Sequence, residues 1–520
     1  MAKDRTIERS EQTLHRGIMP WHVSLIALGG IIGSCYFLEL GDTYATLGPG
    51  AVLITYTVAG LTIFGVMQSF AEMLVNIPRR GSFVSYTREF MGDTASAGIG
   101  WAFWANWVCY IPSEALATAI FVNALIKDIA GWEPGPGLTF LWGILALGLL
   151  TFINIYQVKW FGHVESIMAI IKILAIILFV ICGLAIWLGL AASDVRPWDT
   201  PEGFIGGSIF FHAADLSGSS GGGIMDNLFP EGGWVMITLM IWTLVNFQGS
   251  EIVGLSAAET QNPDVNIPRA CKNVAYRIIL IYLIPIFVLT LIMPYFEGNI
   301  EKSIFADTLY QYGFGWGSHL FTVVTLIAAF SCANSGFYGT VRSLYGLSVE
   351  GLAPKFLSKL NRFSTPQSAT LFTLVFIWLV FIFGFAADYL QVWGEDMPLY
   401  TALVGIAGFT GTLCWVGILY SQILFRRKLI KRGYDPNQVL TVKAKGYPWL
   451  IWFAIIVQVA AMVLLIFEDM MVFGLSMFII IVPIIVFVVQ KSRGKIRHNI
   501  VIGVDETTFD EKFPDKNAKS

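Results

Sequence analysis

Long apolar stretches follow one another along almost the whole chain, and they leave few architectures open. Crossing about 30 Å of hydrocarbon at 1.5 Å per residue takes roughly 20 residues. Twelve stretches reach or approach that length, at about 20–40, 49–76, 97–126, 138–157, 163–191, 233–259, 272–295, 315–347, 368–389, 398–425, 448–467 and 470–490, numbered below as spans 1 to 12. In lipid every backbone N–H and C=O must be satisfied within the protein, so segments this long read as helices. Composition agrees, with 55% of residues hydrophobic and 13% charged, against about a quarter charged in soluble domains. The expected fold class is therefore an all-α polytopic membrane protein. The opening segment 1–19 is polar and shows no short apolar core with a small-residue cleavage site, so the first span is expected to act as the insertion signal.

Basic residues orient the spans, because Lys and Arg near membrane segments stay on the cytoplasmic side. Arg79, Arg80 and Arg88 follow span 2, Lys159 follows span 4, Arg269 and Lys272 follow span 6, Lys355, Lys359 and Arg362 follow span 8, and Arg426 through Arg432 follow span 10. The alternate loops are acidic, with Asp194, Asp199, Glu297, Glu395 and Asp396 among them. Both termini are thus expected in the cytoplasm. A net charge of −3 leaves nucleic acid unsupported as a partner, since topology accounts for the basic loops. The six cysteines show no C-x-x-C spacing, which argues against a disulfide framework or a zinc site.

Two spans are interrupted at matching places, five spans apart. Span 1 contains Gly29-Gly30-Ile31-Ile32-Gly33-Ser34-Cys35, and span 6 contains Phe247-Gln248-Gly249-Ser250-Glu251-Ile252-Val253-Gly254. Glycine is a poor helix former, and unwound backbone is tolerated at membrane depth only where it is buried or lines a cavity. Small residues that merely let helices pack closely are the simpler explanation. The pairing, with Ser and Glu inside the same segments, points instead to a transport site between inverted repeats. Spans 1–5 and 6–10 are odd-numbered groups and so enter the membrane in opposite senses. The expected organisation is a cytoplasmic tail (1–19), a first repeat (20–191), an extracellular loop (192–232), a second repeat (233–425), a cytoplasmic loop with spans 11 and 12 (426–490), and a polar, mobile cytoplasmic tail (491–520).

An unwound segment offers N–H groups at one half-helix and carbonyls at the other, which suits a zwitterion. The N–H groups around Gly33, Ser34 and Cys35, with the Ser34 hydroxyl, are candidates for a carboxylate; the carbonyls of Ile31, Val245, Phe247 and Gln248, in a break that includes Gly249 and Ser250, are candidates for an ammonium. Ionisable groups inside spans are functional candidates by default. Lys172 sits deep in span 5 and is read either as a proton-exchanging group or as a permanently paired structural lysine. Glu114 in span 3 and Glu251 in span 6 either titrate with the proton, contact the substrate amine or tie helices together. Glu72, Glu165 and Glu259 lie near helix ends, where solvation or pairing with loop cations is expected. Ser331, Asn334 and Ser335 share nearly one face of span 8, for interhelical hydrogen bonds or a coupling ion. No nucleophile–base pair, HExxH or phosphate loop suggests an enzyme, and no cofactor is expected beyond a coupling proton.

These residues resemble the amino acid permeases of the amino acid–polyamine–organocation superfamily. The resemblance covers nearly the whole chain and rests on GGIIGSCYF in span 1, FAEMLVNIPRRGSFVSYTREFMG after span 2, GWAFWANWV in span 3, FQGSEIVGLSAAETQNPDVNIPRA through span 6 and SCANSGFYGTVRSLYGLSVEGLAPK through span 8. It implies a five-plus-five inverted repeat with two added helices and alternating access. The substrate carboxylate would be held at Ile31–Cys35 and its amine at Val245–Ser250. Lys172 matches a lysine that takes the place of a sodium ion beside spans 1 and 8 in proton-coupled relatives, and Glu251 matches a glutamate implicated in proton-linked exchange. Cys35 stands where the family usually has glycine, so a larger side chain meets the carboxylate site. The expected function is proton-coupled uptake of an amino acid across the plasma membrane. An amino acid exchanger and a non-transporting sensor are the alternatives.

Overall fold

The computed structural model describes residues 7–10, 32–79, 81–156, 161–190, 228–255, 273–274, 276–293, 302–361, 365–390, 399–493, 500–503 and 507–517. The chain is helical almost throughout, and every expected span has helix at its place among these residues. Spans 3, 4 and 5 are Asp93–Ala130, Pro136–Tyr156 and Phe161–Trp187; spans 8, 9 and 10 are Gly315–Val349, Gln367–Tyr389 and Leu399–Lys431; spans 11 and 12 are Trp449–Glu468 and Met470–Ser492. Span 7 is a π-helical segment, Ile278–Leu283, running into the helix Ile284–Ile292.

Spans 1 and 2 do not part in a loop at 41–48, as the sequence suggested. Helix runs from Glu39 to Asn76 and is interrupted only at Gly48, whose φ of 77° is open to glycine and strained for other residues, followed by Pro49. The chain nonetheless turns back there. Tyr36 and Tyr56 would stand about 30 Å apart along a straight helix, yet their rings lie 4.8 and 6.3 Å from the same Tyr282 ring.

Burial sorts the spans into an inner and an outer set. In their most apolar stretches span 10 is 89% buried and span 8 is 72%, whereas span 4 is 17% and span 12 is 22%. The outer spans turn large apolar side chains outward in stripes. Ile167, Ile170, Leu174, Ile177 and Ile181 on span 5 are all exposed, at the three-and-four spacing of one helical face. Such a stripe faces lipid without loss, because lipid is as apolar as the side chains.

Short elements outside the spans escaped the hydropathy reading. The helix Phe83–Met91 follows span 2, and Ile304–Gln311 precedes span 8. Two short strands, Ile7–Ser10 and Ile500–Gly503, pair in parallel and bring the two tails together. The end of the chain, expected to be mobile, instead carries a docked turn of helix at Phe509–Lys512. A capping box closes it, with the Thr508 side chain on the Glu511 N–H and the Glu511 side chain on the Thr508 N–H. Phe509 and Phe513 are buried, and Phe509 packs 5.8 Å from both Phe90 and Phe425.

Candidate functional site

Of the glycines in the first break, Gly29 and Gly30 lie outside the described residues and Gly33 lies within them. Gly33 is extended, and Ser34–Tyr36 form a single turn of 3-10 helix before the longer helix begins. The first N–H groups of such a turn have no partner within it. The Ser34 N–H is instead satisfied from span 3, donating to both carboxylate oxygens of Glu114, at 3.1 and 3.0 Å. Tyr400, on span 10, holds the same turn through its hydroxyl, 3.2 Å from Ser34 Oγ and 3.5 Å from Cys35 Sγ. Cys35 is thus buried in this contact. Gly33 has no room for a side chain, since a β-carbon there would collide with Glu114 Oε1 and stand 2.8 Å from Cys332 Sγ and 3.0 Å from the Tyr110 hydroxyl. Ile31 lies outside the described residues.

Lys172 meets this break from the other side. Its buried ammonium donates to the Ile32 carbonyl at 3.1 Å and to Ser331 Oγ, on span 8, at 2.8 Å. Ser331 in turn donates to Glu165. Glu165 is fully buried, so it is neither solvated nor paired with a loop cation; its position two turns before Lys172 on span 5 places both on one face. That i, i+7 spacing was the signal available in the sequence. Asn334 reaches Asn154 on span 4 at 2.9 Å.

In span 6, helix runs from Met240 to Val245 and resumes at Ile252–Leu255. The residues between fold into tight turns, with N–H donations from Gln248 to Val245 and from Ser250 to Phe247. Gly249, at φ 91°, makes the reversal. The Phe247 carbonyl also accepts the Ser250 hydroxyl at 2.7 Å, so its two lone pairs are already engaged. Val245 and Phe247 therefore use their carbonyls within the turn, where the sequence offered them to an ammonium. An unwound chain satisfies its own polar groups first when it is buried. Gln248 points its amide to the Ala407 carbonyl on span 10 at 2.8 Å. Glu251 is held by the Gly249 N–H at 3.2 Å and by Trp415 Nε1 at 2.9 Å. Arg277, which the sequence did not single out, is fully buried at the start of span 7 and donates to Ser250 Oγ. Glu259 lies outside the described residues.

One π-helical segment touches both breaks. In span 7 the Ile281 carbonyl accepts the Tyr36 hydroxyl from span 1, and the Tyr282 hydroxyl donates to the Asn246 carbonyl of span 6, each at 2.7 Å. Among the described residues no group of His, Cys, Asp and Glu is placed to hold a metal ion.

Lipid-facing outer helices around two adjoining helix breaks, with ionisable groups on both, define an inverted-repeat membrane carrier. The solved structure of MhsT in complex with L-phenylalanine has the same fold, at a TM-score of 0.57 over 88% of this chain and 99% of that one, with 15% identity. The chain belongs to the amino acid permease family, whose model matches residues 22–496. It is 30% identical to the lysine-specific permease LysP of Lactococcus lactis subsp. cremoris (strain MG1363), covering 86% of this chain and 84% of that one. It is also 32% identical to a basic amino-acid permease of Saccharomyces cerevisiae (86% and 74%) and 29% identical to a γ-aminobutyric acid permease of Bacillus subtilis (95% and 98%).

Proposed function

We propose that this permease is a proton-coupled amino acid symporter of the cell membrane, with both termini cytoplasmic and the 192–232 loop outside. The substrate carboxylate is held at the span-1 break, by Gly33, Ser34 and Cys35, and its amine at the span-6 break, between Val245 and Ser250, where it displaces the turn's own hydrogen bonds. The observation that carries this reading is Lys172, whose ammonium ties the carbonyl side of the first break to span 8. A cation fixed there holds the break as a bound metal ion would, and supplies the charge beside which a buried carboxyl can take up the coupling proton. Relatives are named for lysine, for basic amino acids and for γ-aminobutyric acid, which all carry an amine and a carboxylate but differ in side chain or, for γ-aminobutyric acid, in the length of the spacer. That favours recognition of those two groups by the breaks.

The test is uptake in proteoliposomes with an inward proton gradient. Wild type is expected to accumulate an amino acid in response to the gradient, and Lys172→Ala to lose that response. Gradient-driven accumulation that survives in Lys172→Ala would remove the lysine from the coupling. Uptake that needs an amino acid inside and ignores the gradient would make the protein an exchanger.

A further inference from the structure

The seat assigned to the substrate carboxylate is already taken. Both oxygens of Glu114 lie on the Ser34 N–H, and Glu114 is buried, with Tyr110 and Cys332 packed close about the same Gly33. A substrate reaches Ser34 only when Glu114 leaves that bond.

Charge decides what must happen next. Among the described residues, the groups facing Glu114 are Ser34, Cys35 and the Gly33 backbone on span 1, Tyr110 on its own helix, Lys172 on span 5, Cys332 on span 8 and Tyr400 on span 10. Lys172 is the one cation among them, and it already faces Glu165 as well. With Glu114 ionised, a substrate carboxylate would set a second negative charge on the same amide, beside an ammonium that Glu165 already faces, and buried charge without a partner is strongly disfavoured. A proton on Glu114 removes the excess. It also turns an acceptor into a donor, able to give its O–H to the carboxylate that displaced it, in the way paired carboxyl groups share one proton.

We infer that Glu114 is a built-in competitor for the substrate carboxylate, and that substrate binding exchanges its bond to the Ser34 N–H for a proton taken from solution. The balance is one proton added to Glu114, one hydrogen bond from Ser34 transferred from Glu114 to the substrate, and no change in Lys172, which stays charged as counter-ion. This rests on the symport reading and places its proton on Glu114.

The experiment measures proton uptake by the purified protein in weakly buffered detergent solution. The probes are the one of the twenty standard L-amino acids that most raises the unfolding temperature, and its α-carboxamide, which lacks the carboxylate. Wild type should take up about one proton per amino acid bound and none with the carboxamide. Glu114→Gln should bind the amino acid with proton uptake reduced at least tenfold. Glu114→Asp, with a carboxylate withdrawn from Ser34, should keep the uptake and bind the amino acid several-fold more tightly, leaving carboxamide affinity unchanged. The Asp variant keeps the proposal testable if the Gln variant does not fold. Uptake by Glu114→Gln equal to wild type, or equal tightening for both probes in Glu114→Asp, overturns the inference. Wild type that binds the amino acid with no proton uptake overturns the symport reading itself.

Discussion

At the level of single residues, two glycines show how tightly the two breaks are built, and a third, in span 8, shows plain packing. Gly33 stands where a methyl group would press on Glu114, Cys332 and Tyr110. Overpacking of this kind costs about 1–3 kcal/mol, and here the strain falls on the Ser34 turn. Gly33→Ala should therefore weaken amino acid binding by about ten-fold or more, about 1.4 kcal/mol, as read by competition of radiolabelled uptake. Gly249 is limited by its backbone, since φ 91° strains any L side chain by about 1–3 kcal/mol. Gly336 is different again, because a β-carbon there would overlap the buried Trp107 ring. Gly336→Ala should lower the unfolding temperature, whereas Gly249→Ala should lower transport more than stability. Equal loss of stability in both variants would show that Gly249 is only a packing residue.

The elements add a constraint that no single residue carries. A π-helical turn widens the backbone and is common at functional sites. In span 7 it presents Ile281 to the first break and Tyr282 to the second. Two breaks fastened to adjacent residues of one helix move with it. Tyr36→Phe and Tyr282→Phe each remove one hydrogen bond, worth about 1 kcal/mol, and leave a carbonyl to find another partner. The double variant should fall short of the sum of the single effects on transport rate, because losing either link already frees one break from the other. Strictly additive effects in a double-mutant cycle would count against a shared anchor. Away from the breaks, Glu72 of span 2 is clamped to Arg426 and Gln422 of span 10. Removing one partner of such a buried pair costs about 3–5 kcal/mol.

Across the whole molecule, the chain end closes over the ends of spans 2 and 10. Lys512 donates to the Asn76 carbonyl, Arg432 to the Phe513 carbonyl, and Asp510 pairs with Lys428 and Arg432. Partial burial works to raise the Asp510 carboxyl, but the two cations outweigh it and hold the group below the usual carboxylate range. A lowered carboxyl stabilises the docked tail above the unfolded value, about 3.9, and loses that contribution as the pH falls through the folded value. Exposed pairs of this kind contribute about 1 kcal/mol or less, whereas each buried phenylalanine contributes about 1.5–3 kcal/mol. Phe509→Ala is thus expected to release the tail to protease at neutral pH, and Asp510→Asn to leave it largely protected. The reverse order would mean that charge, not aromatic packing, holds the tail.

Hydropathy and spacing along the chain determined the class of molecule and, among the described residues, spans 3–5 and 8–12 to within a few residues at most ends. These are local properties: a residue's preference for lipid, and glycine's reluctance to stay helical, act wherever the residue stands. The composition of the breaks marked Ser34 and Glu251, and charge inside apolar spans marked Lys172 and Glu114, as residues to explain. Only the tertiary structure decided which of them meet. Ser34 and Glu114 are 80 residues apart, Lys172 and Ile32 are 140 apart, and Glu251 and Trp415 are 164 apart. Such contacts depend on helix rotation and depth, which hydrophobic packing sets for whole faces at once. For that reason Glu165 is buried where its place near a helix end suggests solvation, Arg277 meets the second break without a signal in the sequence, and a polar tail docks. The same packing put a carboxylate of the protein's own on the amide where a substrate carboxylate is expected to bind.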